Sequence, residues 1–210
     1  MTANLSLRER RRVEIRRELA AAAIELFERD GAAATTVDAI VAAAGCSAST
    51  FFRHFPTKED TVFFDAPDVL KALREAVAVS TAGTDRDVWE IVCAGLVRGG
   101  VDFVESGDEL AMARLRLYHR DPAIAAKLAE IYAQREAVIA GFFLDELGAG
   151  PEAEFQAWLQ AGAIIAAVRA SLRSVATHGG NLAQELDRAF RRVEQGFTRP
   201  HRRGSASALG

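Results

Sequence analysis

The chain has 210 residues, half of them apolar and 26% charged, with 26 basic against 29 acidic side chains and a formal net charge of -3. That apolar share supports a buried core in one large domain or two smaller ones, and the charge balance excludes a global positive field, so any basic surface must be local. Cys46 and Cys93 are the only cysteines, too few for a disulfide framework or a zinc site, and both read as reduced packing residues.

The N-terminus is basic but passes directly into an amphipathic pattern, with no separate apolar signal region. The longest Arg-free apolar stretch, Ala161 to Val168, falls far short of the ~20 residues a membrane helix needs. The expectation is a soluble cytoplasmic protein with no membrane contact.

Nearly every segment repeats its apolar residues at three and four rather than two, which predicts an all-α fold. The first helix runs from about Arg8 to Arg29, with Ile15, Leu19, Ala22, Ala23, Leu26 and Phe27 as its apolar stripe, and ends at Asp30-Gly31. A second helix starts at "TTVDAIVAAAG", capped by Thr35 or Thr36, and Gly45 turns the chain. A third covers Ser47 to about Phe55, and Pro56-Thr57 stops it and caps a fourth, since a carboxylate follows the Thr57 hydroxyl by three residues. Asp65-Ala66-Pro67 breaks or kinks that fourth helix before Val69 to Val79, making Pro67 a candidate hinge or a plain bend. Loop signals then separate helices near 85–104, 108–118, 122–147, 152–176 and 181–197. The division is a unit of short helices at 1–60, a helical body at 61–198 and a disordered tail at 199–210.

The run "GCSASTFFRHFPTKED" carries the functional signal. At about 100° per residue, Phe51, Phe55, Ala48 and Phe52 share one narrow apolar arc, and Ser47, Ser49, Thr50, Arg53 and His54 share the other. A helix that docks through aromatics and displays hydroxyls, Arg and His suits the major groove, where Arg reads guanine and short hydroxyls reach bases or phosphates. Two short helices joined by a Gly turn make a helix-turn-helix, with the third helix as the reading element. Lys58 is placed to clamp a phosphate. Residues 8–17 hold six arginines against Glu9 and Glu14, although residues 1–60 balance nine basic and nine acidic side chains. Affinity therefore rests on placement, with a modest salt slope.

These residues resemble the DNA-binding domain of TetR-family transcriptional regulators: "AAIELFERDG" followed by "TTVDAIVAAAGCSASTFFRHFPTKED", in that order and spacing. The resemblance implies DNA contacts from Thr35, Thr36, Ser47, Ala48, Ser49, Thr50, Arg53, His54 and Lys58. Phe52 stands where the family usually has Tyr, so a phenolic phosphate contact is absent and Phe52 packs or touches a thymine methyl instead. The remainder is then a helical domain that binds a small effector and dimerises. "ARLRLYHRDPAIAAKLAEIYAQREAVIAGFFLDELG" and "AGAIIAAVRASLRSV" resemble a subgroup with an acyl-CoA-like ligand domain that includes mycofactocin-system regulators.

Within that body Trp89, Leu96, Phe103, Leu115, Tyr118, Ile131, Phe142 and Trp158 are candidates to line an effector cavity, or else plain core. Arg114, Arg116, His119 and Arg120 flank it, either to meet an anion or as solvated surface. The last two helices would pair with their copies in a homodimer through Phe155, Leu159, Ile165, Leu172, Leu186, Phe190, Val193 and Phe197. An enzyme is disfavoured because the histidines are scattered and neither HExxH nor a P-loop occurs; no cofactor or metal is expected. The reading is a homodimeric repressor released from a palindromic double-stranded DNA operator by a small, largely apolar effector. An architectural DNA binder is the alternative, and a cavity of a few hundred cubic ångströms would speak against it.

Overall fold

A computed structural model describes residues 6–80, 87–104 and 109–196. Among the described residues all regular structure is helical: α1 (Leu7–Asp30), α2 (Val37–Ala43), α3 (Ala48–His54), a short 3-10 turn (Glu59–Phe63), α4 (Ala66–Ser80), α5 (Val88–Val104), α6 (Glu109–Arg120), α7 (Pro122–Leu147), α8 (Pro151–His178) and α9 (Leu182–Glu194). Of the expected loops at 80–85 and 105–109, residues 81–85 and 105–108 lie outside the described residues, as do the tail, Phe197 and the side chain of Phe103.

Local chemistry sets the boundaries. Ser6 and Glu9 form a reciprocal capping box at the start of α1, and the Thr36, Ser47, Asp121 and Asn181 side chains cap α2, α3, α7 and α9. Between α2 and α3 the Cys46 amide donates to Val41 O (3.0 Å) and the Gly45 amide to Ala42 O (3.4 Å), a Schellman closure with Gly45 at φ +64°. Only glycine takes that conformation without strain, so Gly45 fixes where α3 leaves α2.

The structure departs from expectation at the fourth helix. Thr57 and Asp60 do bond each other, the Thr57 amide and hydroxyl both donating to Asp60 Oδ2 (2.9 and 2.8 Å), but they open a 3-10 turn. The α-helix starts afresh at Ala66. Pro67 falls in the first turn of α4, where a missing N–H costs nothing, so it begins a helix rather than kinking one.

One apolar core runs through the molecule. Leu19, Ile24, Phe27, Ile40, Phe51, Phe55 and Val62 fill the N-terminal part, and Leu115, Ile124, Ile139, Phe143 and Ile164 the body. Three polar bridges lock the two together. Arg116 donates to both Glu28 oxygens (2.6 and 2.9 Å), Asp121 Oδ2 accepts from the Ala32 amide (2.7 Å), and Lys127 pairs with Asp60 (3.0 Å). Arg116 holds the Glu28 carboxyl below the usual carboxylate range, and Asp60 raises the Lys127 ammonium. Asp121 also caps α7 through its other oxygen, so one carboxylate joins the α1–α2 loop to the start of α7.

The residues expected at the dimer seam divide on the last two helices. Ile165, Leu186 and Phe190 are buried within the chain's own core, and Leu172 and Val193 are half-buried against it. What α8 turns outward is Phe155 (62% exposed), Trp158 (45%) and Leu159 (59%), continued along the same face by Ala166 and Ala170.

Candidate nucleic-acid interface and internal cavity

Helix α3 is held from beneath by aromatics. Phe51 and Phe55 are fully buried with ring centroids 5.8 Å apart, and half-buried Arg16 stacks its guanidinium 4.7 Å from the Phe55 centroid. Arg16 also donates to His54 O (2.9 Å) and Phe64 O (2.5 Å), tying the end of α3 and the end of the 3-10 turn to α1. Arg16 therefore positions the reading helix from within, and lying along a duplex is not its role.

The outward face carries Ser47, Ser49, Phe52 and Arg53, all exposed, with Ala48, Thr50 and His54 half-exposed. Ser47 Oγ accepts from the Thr50 amide (3.2 Å) and lies 3.1 Å from Thr50 Oγ1, so two of the short hydroxyls are held in place by each other. Phe52 is 58% exposed with its ring edge-on to Phe51 at 5.4 Å. Its placement on the packing arc is therefore corrected: it stands outside, with the groups that face solvent. Burial, then the neighbouring Arg53 and Arg16, hold the His54 imidazole below its ordinary pKa, which keeps it neutral at pH 7. Arg8 and Arg12 are exposed on α1.

Two expected contacts are corrected outright. Thr35 is buried and its hydroxyl donates to Gly31 O (2.9 Å), whereas Thr36, the actual cap of α2, is exposed. Lys58 Nζ donates to Ala32 O (2.5 Å) and Thr35 O (2.7 Å), which makes it a strut between the 3-10 turn and the α1–α2 loop. Its charge is spent on carbonyls 23 and 26 residues back in the chain, and nothing in the local sequence signals that.

The body contains a cavity of about 90 Å³ lined by the 3-10 turn and by α4 through α9. Of the expected lining residues, Leu96, Tyr118 and Ile131 do face it. The others do not. Leu115 is fully buried core, Phe142 packs half-buried against that core, and Trp89 tilts against Phe143 with Nε1 donating to Glu194 (2.5 Å). His119 is exposed, and Trp158 is on the outer face of α8. Phe63, Asp65, Arg114, Tyr132 and Arg135 complete the polar and aromatic part of the lining. Arg114 is almost fully buried and grips Asp65 through both carboxylate oxygens (2.6 and 2.9 Å), with its guanidinium 4.9 Å from the Phe64 centroid. Burial raises the phenols of Tyr118 and Tyr132, so both remain protonated donors. Larger hollows of about 520 and 630 Å³ lie at Phe155 and Trp158 and between α8 and α9.

No cluster of three or more His, Cys, Asp or Glu side chains suited to a metal occurs among the described residues. Burial pushes the Cys93 thiol up to about 12 and raises that of Cys46, so both stay as thiols. No helix among the described residues is long and apolar enough to cross a membrane.

A short capped helix, a glycine-closed turn and a second short helix with an exposed Ser/Arg face, mounted on a helical body, define a helix-turn-helix regulator. Comparison with known proteins gives the family. Residues 19–62 match the family described as bacterial regulatory proteins, tetR family, and residues 86–198 match the MftR C-terminal domain. The chain belongs to the TetR family of transcriptional regulators, with a body of the MftR type. It is 31% identical over 148 residues to the HTH-type transcriptional regulator TcmR of Streptomyces glaucescens, a match spanning 63% of this chain and 65% of that protein. Among solved structures, Thermus thermophilus FadR in complex with lauroyl-CoA is similar in fold, at 24% identity over 93% of this chain and 100% of that one, TM-score 0.56. SmeT, the repressor of a Stenotrophomonas maltophilia multidrug efflux pump, is similar at 18% identity over 83% and 86%, TM-score 0.54.

Proposed function

We propose that the protein is an operator-binding repressor that works as a two-fold dimer and is released from double-stranded DNA by a small effector bound in the body. The observation that carries the DNA reading is α3 itself, buried by Phe51 and Phe55 on one side and presenting Ser49, Phe52 and Arg53 on the other. In this reading Arg53 contacts base edges, Phe52 a thymine methyl, and Thr36, Ser47, Ala48, Ser49, Thr50 and His54 the flanking bases and phosphates. Arg8 and Arg12 reach the backbone. Thr35 and Lys58 are left out because their polar atoms are used internally.

The dimer forms through the outward face of α8 and the groove it shares with α9, where exposed Phe155, Trp158 and Leu159 supply apolar surface that a lone chain would leave in water. A two-fold axis there sets the two reading helices on successive major grooves, roughly 34 to 36 Å apart. The effector acts from the cavity. Helices α6 and α7 supply its walls through Arg114, Tyr118, Ile131 and Tyr132, and the same two helices hold the DNA-binding part through Arg116, Asp121 and Lys127. A ligand that fits one arrangement of α6 and α7 better than another shifts the HTH spacing by that difference in affinity.

The small size of the cavity favours one competing reading, an architectural binder without an effector, since ligand pockets commonly hold about 300 Å³ or more. The deciding experiment is fluorescence anisotropy of the full chain on duplex from upstream of its own gene and on random duplex, each over a salt series. Tight, salt-sensitive binding to the first alone supports the repressor, and Arg53→Ala then removes the preference. Equal weak binding to both supports the architectural reading.

A further inference from the structure

The charges around the cavity are unequal. Among the described residues its lining holds one carboxylate, Asp65, and two guanidinium groups, Arg114 and Arg135. Asp65 is already gripped at both oxygens by Arg114, so Arg135 is the surplus positive charge. Half-buried on α7, Arg135 makes no hydrogen bond or ion pair among the described residues. It lines both the cavity and a smaller void behind it, beside Tyr132, Val69 and Leu96. A half-buried guanidinium that faces a cavity offers its donors to an anion there at little further desolvation cost.

We propose that the cavity binds a compact monocarboxylate, with the carboxylate on Arg135, assisted by the phenols of Tyr118 and Tyr132, and an aromatic or branched body against Phe63, Leu128 and Ile131. The inference rests on the reading of this cavity as the effector site and goes further by naming the ligand class. Charge selects a single negative group, because the described lining residues carry one positive charge more than negative. A cation would find only Asp65, already occupied, and a neutral apolar molecule would leave Arg135 without a counter-ion. Size selects a short body: at roughly 10 to 15 Å³ for each water-sized group, about 90 Å³ holds roughly six to nine of them. That is the scale of benzoate rather than of an extended acyl chain.

The test is calorimetric titration of the full-length protein with benzoate and with its neutral isostere benzamide, repeated on Arg135→Gln and Arg135→Lys, with operator release followed by anisotropy in parallel. The expected result is one benzoate per chain, benzamide bound far more weakly, and Arg135→Gln weakening benzoate by roughly ten- to a hundredfold. Arg135→Lys should retain most of the affinity. Benzoate and benzamide bound alike by the unaltered chain, or benzoate bound unchanged by a folded Arg135→Gln, overturns the assignment. Release of the operator by a long-chain acyl thioester or by decanol but not by benzoate overturns the ligand class and leaves the effector reading standing. If none of these probes binds or releases DNA, both fall.

Discussion

Lys58→Met separates two roles that a DNA-binding protein's lysine can play. Methionine keeps the packing stem and removes the ammonium that bridges Ala32 O and Thr35 O at 2.5 and 2.7 Å. Each charge-assisted bond is worth about 1.5 to 3 kcal/mol when well shielded, but the side chain retains 23% exposure and water can partly replace it at both carbonyls. A net loss of about 2 kcal/mol follows, which for a chain of this length lowers the thermal midpoint by about 4 to 8 °C. A lysine on a phosphate behaves differently: its removal leaves the midpoint alone and reduces the slope of log K against log salt by about 0.9. Scanning calorimetry and anisotropy at several salt concentrations read both quantities on the same protein. The structural role requires a lowered midpoint with an unchanged slope. An unmoved midpoint with a slope smaller by nearly one would refute it and return Lys58 to the duplex.

Four further outcomes follow from named contacts. Phe51→Ala empties a fully buried aromatic site under α3 and should cost about 3 to 5 kcal/mol, visible as a large fall in the denaturation midpoint; an unchanged midpoint would contradict the burial. Gly45→Ala meets no atom within 4 Å, so its cost is backbone strain alone, about 1 to 2 kcal/mol at φ +64°, and Gly45→Asn should cost less because Asn tolerates that region. Trp158→Glu together with Phe155→Glu puts charge on the exposed face of α8 and should give a folded monomer by sedimentation velocity with operator affinity reduced at least about tenfold; a dimer of unaltered mass would place the interface elsewhere. His54 and His119 both have lowered pKa values, burial being the first cause, so the unfolded chain takes up protons at a higher pH than the native one. The stability this gives is present above about pH 6.5 and lost as pH falls through the lowered values, so thermal midpoints should decline from pH 7 toward pH 5.5, and a flat profile would count against the partial desolvation of the two rings.

The parts of the fold that were legible in the sequence are those written within a few residues of chain. Thr36 and Ser47 cap helices that begin one residue later, Gly45 closes a turn by bonds spanning three and five residues, and the Phe51–Phe55 spacing fixes which side of α3 is buried. Phe52 escaped the same logic because α3 has only seven residues: the apolar arc drawn across it was wider than the surface beneath could cover. Lys58 and Arg16 were misjudged for a different reason. Each acts on backbone carbonyls 23 to 48 residues away, and a carbonyl has no residue type by which sequence could announce it.

The cavity shows where periodicity stops being informative. A helical period identifies the buried face of α6 or α7, yet every residue on that face is equally apolar in the pattern whether it meets another side chain, as Leu115 does, or a void, as Ile131 does. Trp158 illustrates the converse, a large apolar residue at helical spacing that faces outward because the chain's own helices leave that side of α8 uncovered. Arg114 lies between Ala111 and Tyr118 at offsets of three and four, within a stripe that is otherwise buried, and a guanidinium in such a stripe demands a partner. The partner is Asp65, at the junction between the 3-10 turn and α4, where the DNA-binding part gives way to the body. A charge that is costly to bury is held beside Phe64, whose carbonyl accepts from Arg16, the residue that also holds the end of the reading helix. Its electrostatics follow from the fold, and its value as a sign of function lay in the mismatch between residue type and helical face.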